Sequence, residues 1–168
     1  MRLDCVALLL VLLMAGCVTA PPPTTSAPPV ARTFPANGLL TQRAVLTVHG
    51  RQFALNGYLA LSEDGGARLI MTESFGGLVA DVLVKRDGSM HVMRSSRVFP
   101  PDWIRRFVAA DLDCILNEKP AARCPIRMLS ATHFVIERRG YQLDLQTVDT
   151  KPGPQSPELF DEKRAPAP

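Results

Sequence analysis

The sequence predicts a mainly β domain, in which a curled antiparallel sheet carries one amphipathic helix over its concave face. Three observations predict this fold. Apolar and polar residues alternate along several short segments, tight-turn signals separate these segments, and a single stretch has helical periodicity. The order is strands, one helix and strands again, without the regular alternation that builds a parallel sheet. We expect the domain to occupy residues 40–150.

The first predicted element is a hairpin over residues 43–61. Apolar side chains alternate with polar ones up to Val48, and after Gly50 the alternation resumes at Phe53 and Leu55. Gly50 therefore marks a reversal of the chain. A Glu-Asp-Gly-Gly run at residues 63–66 marks the next one.

The following segments have the same period of two. Residues 67–73 and 78–84 each place apolar side chains on one face, and Asp87-Gly88 is typical of a two-residue hairpin turn. After Cys124, alternating segments flank an Arg139-Gly140 turn. Together these segments predict an antiparallel meander of roughly seven strands.

A helix is predicted after Pro100, because apolar residues there recur at spacings of three and four. They are Ile104, Phe107, Val108, Leu112 and Ile115. A helix about 10–12 Å wide covers only part of a sheet, so the inner face is either closely packed or hollow. The residues expected to line a hollow are Leu46, Val48, Phe53, Leu55, Leu69, Met71, Val82, Val84, Ile104, Phe107 and Val108.

The amino-terminal segment is typical of an export signal. Arg2 precedes an apolar run at residues 6–14, which is too short to span a bilayer as a helix. The sequence Met-Ala-Gly-Cys that ends at Cys17 resembles a bacterial lipobox, whose cysteine is acylated. We therefore expect residues 1–16 to be a signal peptide and Cys17 to be the lipid anchor. Because Val18 rather than aspartate follows, the analogy implies the periplasmic face of the outer membrane. A plain signal peptide with a chance cysteine is the alternative.

Proline-rich segments flank the predicted domain. Residues 17–39 are expected to carry the lipid and form a disordered tether, and residues 151–168 to form a disordered tail. If the two earlier cysteines are removed or acylated, the thiols left in the body are Cys114 and Cys124. Two such thiols in an exported protein predict a disulfide, with a pair of free thiols as the alternative.

The sequence offers no constellation typical of an enzyme, and we predict no catalytic residue, metal site or cofactor. It lacks a G-x-S-x-G elbow and a glycine-rich phosphate loop. His49, His91 and His133 are predicted on three separate strands. Glu73 and Asp81 flank one turn, where carboxylates are more often solvated than catalytic. Residues 40–150 contain 14 basic and 12 acidic residues, a net charge of +2 that is too weak and dispersed for nucleic-acid binding.

The most informative turn is the one that contains Phe75. This aromatic residue stands between two predicted strands, beside Gly76 and Gly77, which give it freedom to project. A turn that only reverses the chain does not need a phenylalanine. Phe75 either folds back into the core or protrudes towards a membrane or an acylated partner.

Residues 68–92 resemble the centre of LolB and its relatives, outer-membrane lipoproteins that accept lipoproteins from the carrier LolA. The residues that carry the resemblance are the Ser74-Phe75-Gly76 loop, the Asp87-Gly88 turn, the closing segment 140–145 and the anchor Cys17. The chain lacks the family's proline in the loop, and its body is short. It is also similar to small bacterial lipoproteins with a LolB-like domain. The resemblance implies an apolar half-barrel and a hydrophobic loop residue, here Phe75.

Two functions are compatible with these predictions. The first is an outer-membrane lipoprotein that binds acyl chains of lipoproteins or other lipids in its half-barrel and aids their transfer to the membrane. The second is a structural accessory lipoprotein, whose head binds a periplasmic protein partner through the Trp103–Phe107 region or through residues 98–101. The volume of the interior distinguishes them, because ligand pockets are typically about 300–1,000 Å³.

Overall fold

The computed structural model describes residues 35–116 and 124–162. The predicted signal peptide, Cys17 and most of the tether lie outside the described residues. The strands are β1 Gly38–Val48, β2 Arg51–Leu61, β3 Ala67–Glu73, β4 Leu78–Val84, β5 Met90–Ser95, β6 Ile126–Ser130, β7 His133–Arg138 and β8 Tyr141–Pro152. Between β5 and β6 lie α1 Pro101–Trp103, a π-helical segment Ile104–Val108 and α2 Ala109–Leu116.

The eight strands form one sheet in the order β5-β4-β3-β2-β1-β8-β7-β6. Every neighbouring pair is antiparallel, and β1 is central because it pairs with both β2 and β8. The sheet is not closed: among the described strands, β5 and β6 each pair on one side alone. The predicted fold class, a curled antiparallel sheet with one helix, is confirmed.

Strand register places the predicted apolar residues on one face of the sheet. Leu46 lies opposite Phe53 in β2 and opposite Leu143 in β8, and Leu69 lies opposite Leu59 and Val82. This face packs against the helix in a core that includes Leu40, Leu46, Leu55, Leu59, Leu69, Val82, Ile104 and Leu112. The opposite face of the sheet is called the outer face below.

The helical stretch starts where predicted and is continuous from residue 101 to residue 116, with one wider π-helical turn. Ile104, Leu112 and Ile115 are buried, as the periodicity predicts. Asp102 lies in the first turn and binds Arg105 through a 2.9 Å contact. It makes no side-chain cap of the helix.

The predicted disulfide between Cys114 and Cys124 is confirmed, with the two Cα atoms 5.6 Å apart. It joins the carboxyl end of α2 to the residues that precede β6. Both cysteines are buried. The bond therefore fixes the helix against the β6–β7 edge of the sheet.

The predicted domain boundaries are slightly too narrow. Strand β1 begins at Gly38, inside the predicted tether, and β8 runs to Pro152. The prediction of a disordered tail is wrong for residues 151–162, which end in a short 3₁₀ helix, Pro157–Phe160. This segment packs on the outer face because a buried ion pair lies beneath it. Arg68 binds the carboxylate of Asp81 at 2.7 and 2.9 Å and donates a third hydrogen bond to the Leu159 carbonyl.

Candidate functional site

The β3–β4 hairpin projects Phe75 fully into solvent. Its side chain is 100% exposed, so the alternative in which it folds into the core is wrong. The turn is held by hydrogen bonds from the Gly76 amide to the Glu73 carbonyl and from the Glu73 amide to the Gly77 carbonyl. Gly76 has a φ of +90°, which favours glycine there. The backbone geometry therefore presents an aromatic side chain on an ordered tip.

The tip is tied to the neighbouring strand. The Ser74 amide and hydroxyl both donate to the Ala54 carbonyl in β2, at 3.2 and 3.1 Å. Phe75 therefore lies at the level of Phe53, at the end of the sheet that also carries the β1–β2 and β7–β8 turns. We call this the Phe75 end. The opposite end, where the chain enters β1, is the Gly38 end.

The interior under the helix is largely filled. A small apolar cavity of about 60 Å³ remains between α2 and strands β1, β2, β3 and β8. It is far below the volume of a typical ligand pocket. Of the predicted lining residues, Leu55, Leu69, Met71 and Val108 border it. The others pack in or against the core: Leu46, Val48, Phe53, Val82, Val84, Ile104 and Phe107.

A wider groove of about 380 Å³ lies beside this cavity, between α2 and the β4–β5 hairpin. Val84, Met90 and Leu116 supply its apolar walls. Leu112 borders both the groove and the interior cavity. The Leu112 side chain therefore forms part of the wall of both spaces.

Gln42 is a polar residue in the cavity wall that the sequence prediction missed. It is 3% exposed, and its Nε2 atom has no hydrogen-bond partner among the described residues. Gly57, directly opposite in β2, leaves room for it, since a Cβ atom there would lie 3.4 Å from the Gln42 amide oxygen. The period-two pattern of β1 could have predicted that Gln42 points inward, because Gln42 precedes the inward Ala44 by two residues.

A second missed feature is a buried polar cluster at the edge of the cavity. Asp111 accepts hydrogen bonds from Arg138 Nε at 2.7 Å and from the Tyr141 hydroxyl at 2.5 Å. Burial raises the pKa of the Asp111 carboxyl, and these two hydrogen bonds offset part of that effect. Burial is the main cause that raises the pKa of the Tyr141 phenol, and the hydrogen bond to Asp111 raises this pKa further. The cluster joins α2 to β7 and β8.

The remaining ionisable candidates lie apart. Glu73 is exposed in the hairpin, whereas Asp81 is 0% exposed beneath the carboxyl-terminal segment, so the two carboxylates do not form a pair. His49 lies in the β1–β2 turn, not in a strand, while His91 contacts Glu162 and His133 contacts Asp144.

Within residues 35–116 and 124–162, no group of three or more His, Cys, Asp or Glu side chains is arranged to hold a metal ion. In the same part of the chain, no helix has both the length and the apolarity needed to cross a membrane.

Comparisons with known proteins leave the family open. No family model matches the chain, and no curated protein is significantly similar to it.

Proposed function

We propose that the protein is an outer-membrane lipoprotein that binds acyl chains of lipoproteins or other lipids and aids their transfer to the membrane. The observation that carries this proposal is the complete exposure of Phe75 on an ordered hairpin tip. A phenylalanine in water forfeits about 1.5–3 kcal/mol that burial would provide. Contact with hydrocarbon would recover this free energy.

The helix–sheet interface would supply the path for an acyl chain. The groove beside α2 is open and partly apolar, and the interior cavity behind Leu112 is almost entirely apolar in its lining. A chain that displaced the Leu112 side chain would pass from one space to the other. The helix that carries Leu112 is preceded by a π-helical segment, a kind of turn that is frequent at functional sites.

Acylated Cys17 would hold the protein on the periplasmic face of the outer membrane. Residues 18–37 precede β1, and 20 residues in an extended conformation would span roughly 60 Å. Strand β1 has 11 residues, or about 36 Å at roughly 3.3 Å per residue. A tether of that reach would allow even the distant Phe75 end to contact the anchoring membrane.

Native mass spectrometry of the full chain, with and without an added acylated lipopeptide, tests acyl-chain binding. We expect a stoichiometric complex with the lipopeptide and none with the same peptide lacking acyl chains. Failure to retain the acylated form would contradict the proposal.

Phe75→Glu tests the transfer step. We expect this variant to retain the lipopeptide but to release it more slowly to vesicles, with stability changed by less than about 0.5 kcal/mol because the residue is exposed. Val148→Glu, an exposed apolar position near the Gly38 end, is the matched control. Equal transfer by the two variants would exclude Phe75 from this role.

The small interior cavity favours a second candidate function, that of an accessory lipoprotein that binds a periplasmic protein. Of the contact residues predicted for it, Val98 is 59% exposed, but Phe99 is buried and Trp103 and Phe107 are half-buried. Recovery of one stoichiometric partner by the wild-type chain, lost in Val98→Glu, together with no lipopeptide binding, would favour this function.

A further inference from the structure

Charge is distributed unequally between the two ends of the sheet. Six arginines lie at the Phe75 end among the described residues, with four acidic residues. The arginines are Arg51, Arg97, Arg105, Arg106, Arg138 and Arg139, and the acids are Glu73, Asp102, Asp111 and Glu137. At the Gly38 end the acidic residues outnumber the basic ones. The basic residues there are Arg68, Lys85, Arg86, Arg94 and Lys151, and the acidic residues are Glu63, Asp64, Asp81, Asp87, Asp149, Glu158, Asp161 and Glu162.

The exposed arginines of the Phe75 end border a row of five aromatic rings. Phe53, Phe99, Trp103, Phe107 and Tyr141 follow one another at centroid distances of 5.1 to 5.3 Å. The Arg51 guanidinium lies 5.5 Å from the Phe53 ring, and the Arg106 guanidinium lies 5.4 Å from the Phe107 ring. Arginine therefore contacts the row at Phe53 and at Phe107.

We infer that the Phe75 end docks on a lipid surface rich in anionic phosphate headgroups. Exposed Phe75 and Val98 would enter the headgroup–acyl boundary, and Arg51, Arg97, Arg105, Arg106 and Arg139 would bind the phosphates. Arginine suits this role because its planar guanidinium binds phosphate through two hydrogen bonds. The half-buried Trp103 is of a residue type that is enriched at the same depth of a membrane.

The surface at the Phe75 end keeps a net positive charge despite its acidic side chains. Asp102 neutralises one arginine through its 2.9 Å contact with Arg105, and Glu73 lies at the base of the Phe75 turn. The acidic Gly38 end would be repelled by the same lipid surface, so the charge distribution also sets the orientation of the domain. This inference does not depend on acyl-chain binding inside the helix–sheet interface.

Trp103 makes the inference testable, because it is the sole tryptophan of the chain and belongs to the aromatic row. The full chain is added to vesicles of brominated phosphatidylglycerol or of brominated phosphatidylcholine, and quenching of Trp103 fluorescence is measured. We expect quenching with the anionic lipid that decreases at high salt. A lipid anchor alone would not produce this difference.

Two double variants then distinguish the effect of the arginines at the Phe75 end from the effect of the net charge of the domain. Each arginine near an anionic surface contributes about fivefold to binding, so Arg97→Gln/Arg106→Gln should lower the docked-to-free ratio by roughly 25-fold. Arg86→Gln/Lys151→Gln removes the same charge from the Gly38 end and should change the ratio by less than about twofold. If the first pair impairs folding, as shown by circular dichroism, Arg51→Gln/Arg139→Gln replaces it.

The outcomes are decisive in each case. Equal quenching by anionic and neutral lipids would overturn the role of the arginines. It would not affect the proposal of acyl-chain binding, which the lipopeptide experiment tests separately. Absence of quenching in both vesicles, or equal losses in the two double variants, would also overturn the inference. Docking on an acidic protein instead would appear as no vesicle-dependent quenching.

Discussion

The Tyr141 hydroxyl donates a 2.5 Å hydrogen bond to the buried carboxylate of Asp111 and thereby joins the first residue of β8 to α2. Asp111 also binds Arg138, so both of its oxygens have partners. Hydrogen bonds to a charged group contribute more than neutral ones, about 1.5–3 kcal/mol each. The contact is therefore a main attachment of the helix to the sheet.

Tyr141→Phe should lower the free energy of unfolding by about 2 kcal/mol, because it leaves a buried carboxylate oxygen without its donor. Chemical denaturation at neutral pH measures this loss. Tyr58→Phe, at a side chain 42% exposed, is the control and should change stability by less than about 0.5 kcal/mol. Equal effects of the two substitutions would exclude the proposed attachment.

The same contact predicts a dependence on alkaline pH. Burial and Asp111 raise the pKa of Tyr141 above its ordinary value of 10.0, so the folded chain retains a proton that the unfolded chain releases. This contribution to stability is complete below pH 10 and decreases as the pH rises above it. The stability difference between wild type and Tyr141→Phe should therefore narrow above about pH 10. A constant difference up to pH 11 would contradict the prediction.

Cys114→Ser/Cys124→Ser should destabilise the fold by about 3 kcal/mol, because the disulfide closes a short loop of the unfolded chain. The double substitution avoids an unpaired thiol. Thermal unfolding measures the loss, and the wild type after complete reduction serves as the control. A double variant as stable as oxidised wild type would show that the other contacts of α2 hold the helix on the sheet without the disulfide.

The strands, helix and disulfide could be predicted because each depends on local pattern or composition. Leu46 and Val48 flank the polar Thr47, and two cysteines remain in the body. The charge distribution could not be predicted, since it depends on strand order. Arg51 and Arg139 are distant in sequence but lie at the same end, because β1 pairs with both β2 and β8.

The carboxyl-terminal segment could not be predicted for a similar reason. Its proline-rich composition is typical of a disordered tail. Its packing depends on the Arg68–Asp81 ion pair of the outer face, and Arg68 forms a 2.7 Å hydrogen bond to the Leu159 carbonyl. The Arg68–Asp81 ion pair that binds this segment becomes evident once the register of β3 and β4 is known.

Gln42→Met should raise the free energy of unfolding by about 1 kcal/mol. The substitution removes a buried amide nitrogen that lacks a partner among the described residues, and methionine fits irregular space without branching. Gln146→Met, at an exposed position of β8, is the control. Destabilisation of more than 1 kcal/mol by Gln42→Met alone would show that the amide binds an ordered water in the cavity.

Leu112→Ala should connect the interior cavity with the groove beside α2, because the leucine side chain borders both. Its removal should cost about 2–5 kcal/mol of stability, as for other buried leucines. Under the proposed function, the enlarged space should also bind acyl chains more tightly. Titration of the folded variant with a fluorescent fatty acid measures this gain.

Ile104→Ala separates the gain in binding from simple loss of stability. Ile104 is also buried in the helical stretch, but it borders neither the cavity nor the groove. We expect it to destabilise the fold by a similar amount without tighter binding. If both variants bind the fatty acid equally, binding follows loosened packing in general, and the path past Leu112 is excluded.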